Sequence, residues 1–522
     1  MMLFSMAITA LKVIFRFFIF IGFYWFFIVL APFLIYELTP NYAPIRQGTF
    51  LGFVQDFLIF VALALMVLTT AQNIIRMVTR NPKLKLINLI RGNIKTKEKA
   101  LQSPKADNDL LSAKPEGFVF GRQRSRFVRK NISMDGHVLT IGGAGSGKSS
   151  CVAIPSLLSW ESCVFAIDIK GELYERTHHK RPNIKVFNPM SGSSEGYDPY
   201  YLLVKSRNPV QDAREIALAI IPKPQDVKEP FWVESAQNVF TGAILHFHGE
   251  GYSFPDTIIA MQSTPIEQLV STIHNSGTKD ARFFANAFIG MDSKTLAGIF
   301  SELSNKTMVF ATDPDIKACL AKRDCITPED IERGSDIYLQ IPEDKIEQWK
   351  GLLTLVVNQF LKHFERRPET DATPVLFLLD EFARLGKVET VINGLATLRS
   401  KKITICIITQ SLAQLDVIYG KEQRQVIADN CQYKAVLNAT DADTQDYFSR
   451  LVGTMDKTKH GTTVSHEAIT GMSKGTGASE TTEEKRIIKP EEFATLPDIV
   501  FLSPYGFFRV RKAPYYKDKA FS

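Results

Sequence analysis

The chain has 522 residues, 45% hydrophobic and 22% charged, a globular composition that excludes a disordered or fibrous protein. Its six cysteines lie scattered, with no Cys-x-x-Cys and no His/Cys cluster, which argues against a zinc site or disulfide framework and suits a reducing compartment. The net charge of +7 is unevenly spread: residues 1–130 carry 18 Lys/Arg against 6 Asp/Glu and the remainder 44 against 49, so the basic character marks a membrane flank more clearly than a nucleic-acid surface.

Residues 17–36 form an uncharged run rich in Phe, Ile and Leu, about 30 Å long as a helix and enough for a bilayer core. Its bulky aromatics and the lack of a small-residue cleavage site disfavour a signal peptide. A second apolar span covers about 51–75, with Asp56 expected near the outer interface. Lys12 and Arg16 precede the first span, and Arg76, Arg80, Lys83, Lys85 and Arg91 follow the second. Both flanks are therefore expected in the cytoplasm, joined by a short periplasmic loop. Residues 1–91 read as a membrane anchor and 92–130 as a basic linker. The stretch Gly121–Lys130 admits two readings, a solvated face or a contact for anionic lipid or nucleic acid.

His137–Ile141 reads as a short strand, followed by Gly142-Gly143-Ala144-Gly145-Ser146-Gly147-Lys148-Ser149 and the start of a helix at Ser150. This fits G-x-x-x-x-G-K-[ST] in the strand-turn-helix context the motif requires. The glycines let backbone N–H groups turn inward around phosphate oxygens, Lys148 reaches the β/γ-phosphates, and Ser149 ligates Mg²⁺. Ser162–Asp168 and Ile184–Asn188 read as further strands. Over 206–310 strands give way to helical periodicity, as in Gln211–Ile221 and Phe231–Phe247, which predicts an all-α insert domain. Trp232 in that insert reads as a packing residue.

The sheet is expected to resume at Asp336–Ile341, followed by a helix over Ile346–Phe364. Val375–Glu381 is a buried-strand run ending in two acids. Asp380 suits the Mg²⁺ shell, in the manner of an acid on a strand neighbouring the phosphate loop, and Glu381 is placed to deprotonate the attacking water. Ile403–Thr409 is another strand, ending at Gln410, and Lys434–Asn438 a further one. Strands alternating with helices predict an α/β, doubly wound and mostly parallel sheet over 131–205 and 311–522, with ligands at the carboxyl ends. The Gly/Ser/Thr-rich stretch 454–483 reads as a mobile surface loop. The expected chemistry is hydrolysis of a nucleoside triphosphate, namely ATP.

In this order, the two spans, the phosphate loop, Asp168-Ile-Lys-Gly-Glu-Leu-Tyr174, the helical insert, Leu379-Asp-Glu-Phe-Ala-Arg-Leu-Gly386, Gln410–Gly420, Lys489–Pro497 and Ala513-Pro-Tyr-Tyr516 resemble the type IV secretion coupling proteins. These are inner-membrane ATPases of conjugation and effector delivery, and the resemblance covers nearly the whole chain. It implies a homo-hexamer of RecA-like domains on a membrane stem, using ATP and Mg²⁺. Its implied partners are single- or double-stranded DNA, a relaxase complex or secreted effector, and the subunits of the secretion channel. The resemblance also implies that Arg399 and Lys421 reach a neighbouring subunit's nucleotide, the alternative being solvated loop charges. Two other functions stay open: a chromosome-segregating DNA translocase, and a docking receptor assembled by ATP. An intact Glu381 and Gln410 argue against the second.

Overall fold

The computed structural model describes residues 104–223, 229–369, 372–466 and 473–521. The spans expected at about 17–36 and 51–75 lie outside the described residues, and among those described no helix is long and apolar enough to cross a membrane.

Nine strands form the central sheet: β4 (Val138–Ile141), β5 (Cys163–Ile167), β6 (Ile184–Phe187), β7 (Asp336–Leu339), β8 (Val375–Leu379), β9 (Ile403–Thr409), β10 (Tyr433–Val436), β13 (Ile499–Ser503) and β14 (Gly506–Val510). Their order is β14-β13-β10-β4-β9-β8-β5-β7-β6. The seven strands from β10 to β6 run parallel, and β13 and β14 close one edge antiparallel. This is the expected α/β class. One detail differs: the strand carrying Asp380 does not adjoin the phosphate-loop strand, because β9 stands between β4 and β8.

Both faces of the sheet are covered, which is why the parallel strands read as continuous apolar runs instead of alternating ones. Phe165, Phe377, Leu379, Ile405 and Ile407 pack on one face with the helix Ile346–Glu365; Phe360 of that helix lies 4.9 Å from Phe165, ring to ring. Val164, Leu376, Leu378, Cys406 and Ile408 pack on the other face with the helix Ile154–Ser159 that follows the phosphate loop.

Among the described residues between β6 and β7 the elements are all helices, from Tyr201–Val204 to Pro328–Glu332, and residue 310 falls inside the helix Ser293–Thr312. The helix Phe231–Gly249 is buried nearly all round at its centre. Trp232 packs as expected, its ring lying against Gly298, where a Cβ would come within 2.7 Å.

Two stretches differ from expectation. Residues 111–130, expected within a linker, form a three-stranded antiparallel sheet of β1 (Leu111–Ser112), β2 (Phe118–Gln123) and β3 (Arg126–Lys130). Phe118, Phe120, Phe127 and Val128 are buried, so the segment has apolar anchors that its charge count conceals. Its basic side chains are largely consumed within the protein: Arg122 holds Asp518, Arg126 holds the Leu111 carbonyl and Lys130 is buried. The described residues of the stretch 454–483, expected as a mobile loop, belong to a long antiparallel pair, β11 (Thr454–His466) with β12 (Ser473–Arg486); residues 467–472 lie outside the described residues. The recurrent threonines that read as loop composition are β-branched and favour extended backbone.

Candidate active site

The parallel register sets out the site. Ile141 of β4 pairs with Thr409 of β9, and Leu379 of β8 pairs with Ile407, so three strands end together. The phosphate loop leaves β4, Gln410 leaves β9, and Asp380-Glu381 leaves β8. Among the expected site residues, these are brought to one edge.

The loop is braced on both sides. Gly142 N donates to Thr409 O at 3.2 Å, and Gly143 N donates to Asn438 Oδ1 at 2.6 Å. Asn438, just past β10, was expected only as part of a strand; nothing in its sequence surroundings marks it as a brace. Gly145 (φ 70°) and Gly147 (φ 100°) take the left-handed backbone that the tight turn requires. A Cβ on Gly142 would lie 2.4 Å from Ser146 Oγ. Lys148 is buried and its Nζ donates to Gly142 O (2.7 Å) and Gly143 O (3.3 Å). Burial lowers its pKa, against the opposing pull of Glu381 and Asp380. Ser149 and Ser150 begin a widened turn, Ser149–Ala153, that leads into the helix Ile154–Ser159.

Burial raises the Asp380 carboxyl to about 6, and the adjacent Glu381 carboxylate adds to the rise. The Glu381 N–H, 3.0 Å from Asp380 Oδ1, and the Lys148 ammonium oppose it. Glu381 itself has φ 47° and ψ 41°, a left-handed conformation that costs a non-glycine residue about 1 kcal/mol and is typical of functional turns. That turn swings its side chain toward β9, where Gln410 Nε2 donates to Glu381 Oε2 at 3.4 Å. Gln410 is held in turn by Gln414, whose Oε1 accepts from the Gln410 N–H (3.2 Å) and the Thr409 hydroxyl (3.0 Å).

These residues fit ATP and Mg²⁺. The turn has the glycines a phosphate cradle needs, and the buried Ser146 hydroxyl within it has no hydrogen-bond partner. Ser149 and Asp380 offer the one or two protein ligands that Mg²⁺ needs when phosphates and water supply the rest.

Asp168 has a different part. Its carboxylate accepts from Leu173 N (3.1 Å) and Tyr174 N (2.8 Å), capping the helix Glu172–Thr177 across the Gly171 turn. The Asp-x-Lys-Gly-Glu stretch is thus a strand-to-helix corner beside the site, with Lys170 near enough to lower Lys148 further.

Arg399 and Lys421 are not brought to this edge. Arg399 is exposed in the turn Arg399–Lys401 that leads into β9, at the end of that strand opposite Gln410, about 23 Å away along seven residues. Lys421 is exposed on the helix Leu412–Asn430, just after its kink at Gly420.

The fold is similar to that of the bacterial conjugative coupling protein TrwBdeltaN70 in its unbound monoclinic form. The TM-score is 0.60 at 18% identity, over 80% of this chain and 91% of that one. Against the plasmid coupling protein TrwB in complex with the non-hydrolysable ATP analogue ADPNP the TM-score is 0.58 at 18% identity, over 80% and 92%. In sequence, the chain is 26% identical over 399 residues to Protein VirD4 of Agrobacterium fabrum (strain C58 / ATCC 33970), covering 73% of this chain and 59% of that relative. The chain thus spans less than two thirds of the length of that protein. Residues 89–522, which include everything after the expected membrane anchor, match the family described as Type IV secretory system Conjugative DNA transfer, and the chain belongs to it.

Proposed function

We propose that the chain is a membrane-anchored ATPase that delivers a relaxase-bound DNA, or a secreted effector, to a type IV secretion channel. One observation carries the reading: the phosphate loop, Asp380-Glu381 and Gln410 leave three adjacent parallel strands at one edge. The likeness to a coupling protein solved with an ATP analogue supports ATP as the nucleotide.

Gly142–Gly147 and Lys148 hold the phosphates, and Ser149 and Asp380 hold Mg²⁺. Glu381 accepts the proton of the attacking water, and Gln410 keeps its carboxylate turned toward the loop. Bound ATP supplies the phosphoanhydride whose hydrolysis drives the work. Arg399 and Lys421 serve the site of a neighbouring subunit in a homo-hexamer. The uncharged run at 17–36 and the basic flanks support an anchor in the bacterial inner membrane with a large cytoplasmic body. DNA is gripped by its phosphates without regard to sequence, so its binding weakens steeply with salt.

Lys148→Ala is expected to lose nucleotide binding. Glu381→Gln is expected to bind ATP yet hydrolyse it at least about a hundredfold more slowly. Near-normal turnover in Glu381→Gln removes that residue from the role. DNA that stimulates turnover in the wild type supports a motor; nucleotide binding without stimulated turnover supports a docking receptor instead.

A further inference from the structure

The segment that leaves β14 returns to the phosphate loop. Arg511 exchanges backbone hydrogen bonds with Arg122 of β2, at 2.9 and 2.7 Å. The next residue, Lys512, donates from Nζ to Ser146 O at 3.1 Å, and Tyr515 N donates to Ser150 O at 3.0 Å. The segment therefore runs alongside the loop from its crown to its helix. The widened turn explains why the Ser150 carbonyl is free for this: Ile154 N bonds Ser149 O, one residue beyond the α-helical partner. Beyond Tyr515 the strap is fastened to the small sheet. Asp518 accepts from Arg122 Nε (2.5 Å) and Nη2 (2.9 Å), and Phe521 packs edge-on against Phe127 at 5.5 Å.

Lys512 is half-buried and, among the described residues, has no carboxylate within ion-pair distance. Its ammonium rests on a neutral carbonyl of the loop, as Lys148 rests on Gly142 O and Gly143 O. On the same residue that Lys512 contacts, the Ser146 hydroxyl is buried, points toward Gly142 and lacks a partner. Beside it the loop is open, since a Cβ on Gly145 would meet nothing within 4 Å. A second cation, an orphaned hydroxyl and open space thus converge on one loop.

We propose that Lys512 is a second phosphate-binding lysine of the nucleotide site, delivered to the loop by the carboxyl-terminal strap. It turns from Ser146 O to a phosphate oxygen of a nucleoside di- or triphosphate, while Ser150, Arg122 and Phe127 keep the strap in place. This rests on the reading of the site as an ATP site.

The test uses the full-length chain in detergent with Mg²⁺, measuring the binding of ATP, ADP and AMP to the wild type, Lys512→Gln and Lys512→Arg. Lys512→Gln is expected to weaken ATP and ADP by at least about tenfold, the scale of one charge-assisted hydrogen bond, and AMP much less. Lys512→Arg is expected to keep most of the affinity, and the unfolding temperature without nucleotide to stay unchanged. Unaltered ADP binding in Lys512→Gln overturns the assignment. So does an equal loss in both variants accompanied by a lower unfolding temperature, which marks a purely structural strap. A wild type that binds neither ATP nor ADP sinks the reading of the site itself, an outcome distinct from either.

Discussion

Gln410 Nε2 lies 3.4 Å from Glu381 Oε2, joining the carboxyl end of β9 to that of β8. The contact is long for a hydrogen bond, so it orients the carboxylate more than it stabilises the fold. It exists because β9 is inserted between β4 and β8, and because the left-handed backbone of Glu381 aims its side chain that way. Gln410→Ala is therefore expected to leave ATP affinity within about threefold while lowering kcat at least about tenfold through misplacement of the base. A kinetic split in the other direction, with KM raised and kcat intact, makes Gln410 a binding residue instead.

The brace from Asn438 makes a separate prediction. Its Oδ1 accepts from Gly143 N at 2.6 Å, from a strand on the other side of β4. Asn438→Ala leaves that amide without its partner and loosens the first turn of the loop. A lost hydrogen bond of about 1 kcal/mol corresponds to roughly fivefold weaker nucleotide binding. Calorimetric titration with ADP checks this, and an unchanged affinity means the loop holds its shape without the brace.

The phosphate loop and the Asp380-Glu381 strand end were legible because each needs an unusual local pattern: glycines before a lysine, or acids closing an apolar run. Strand order was not legible, since parallel neighbours are far apart in sequence and nothing local says that β9 divides β4 from β8. Asn438 acts through tertiary placement alone, an ordinary polar residue just past a strand, whereas Gln414 works locally from the start of a helix, reaching back to Gln410 and Thr409 with no pattern that marks it. Lys130 misled in the opposite sense. It ends a basic run, yet the fold of β2 and β3 turns it inward, where its Nζ donates to Met134 O (2.5 Å) and Thr404 Oγ1 (2.9 Å).

That burial has a pH signature. Lys130 is lowered from 10.5 to about 7 chiefly by burial, with Asp135 opposing and Lys402 adding to the fall. The unfolded chain keeps the proton up to about 10.5, so between about 7 and 10.5 it binds more protons than the folded chain, and stability rises with pH. Below about 7 both states are protonated and the cost of the buried charge is constant at its largest. Lys130→Met, which keeps the volume and removes the charge, is expected to raise the unfolding midpoint at pH 7 and flatten its rise toward pH 10. Denaturant unfolding at several pH values measures this, and parallel curves for the two proteins contradict the buried-charge account.

The last prediction concerns which chain completes each site. Arg399 lies at the amino end of β9 and Glu381 at the carboxyl end of β8, at opposite ends of two adjacent strands. A guanidinium there cannot reach its own chain's phosphate loop across the length of β9. Gamma-phosphoryl transfer builds charge that P-loop enzymes commonly neutralise with an arginine from outside the loop. If Arg399 has that part, with Lys421 assisting, it acts on a neighbour's nucleotide in a ring. Arg399→Ala and Glu381→Gln chains, each nearly inactive alone, are then expected to regain partial ATPase activity when mixed. Recovery follows because some interfaces pair an intact Glu381 site with a neighbour's intact Arg399, whereas a residue acting within its own chain gives no recovery. An Arg399→Ala protein that assembles into rings and hydrolyses ATP at the wild-type rate leaves Arg399 as a solvated turn residue.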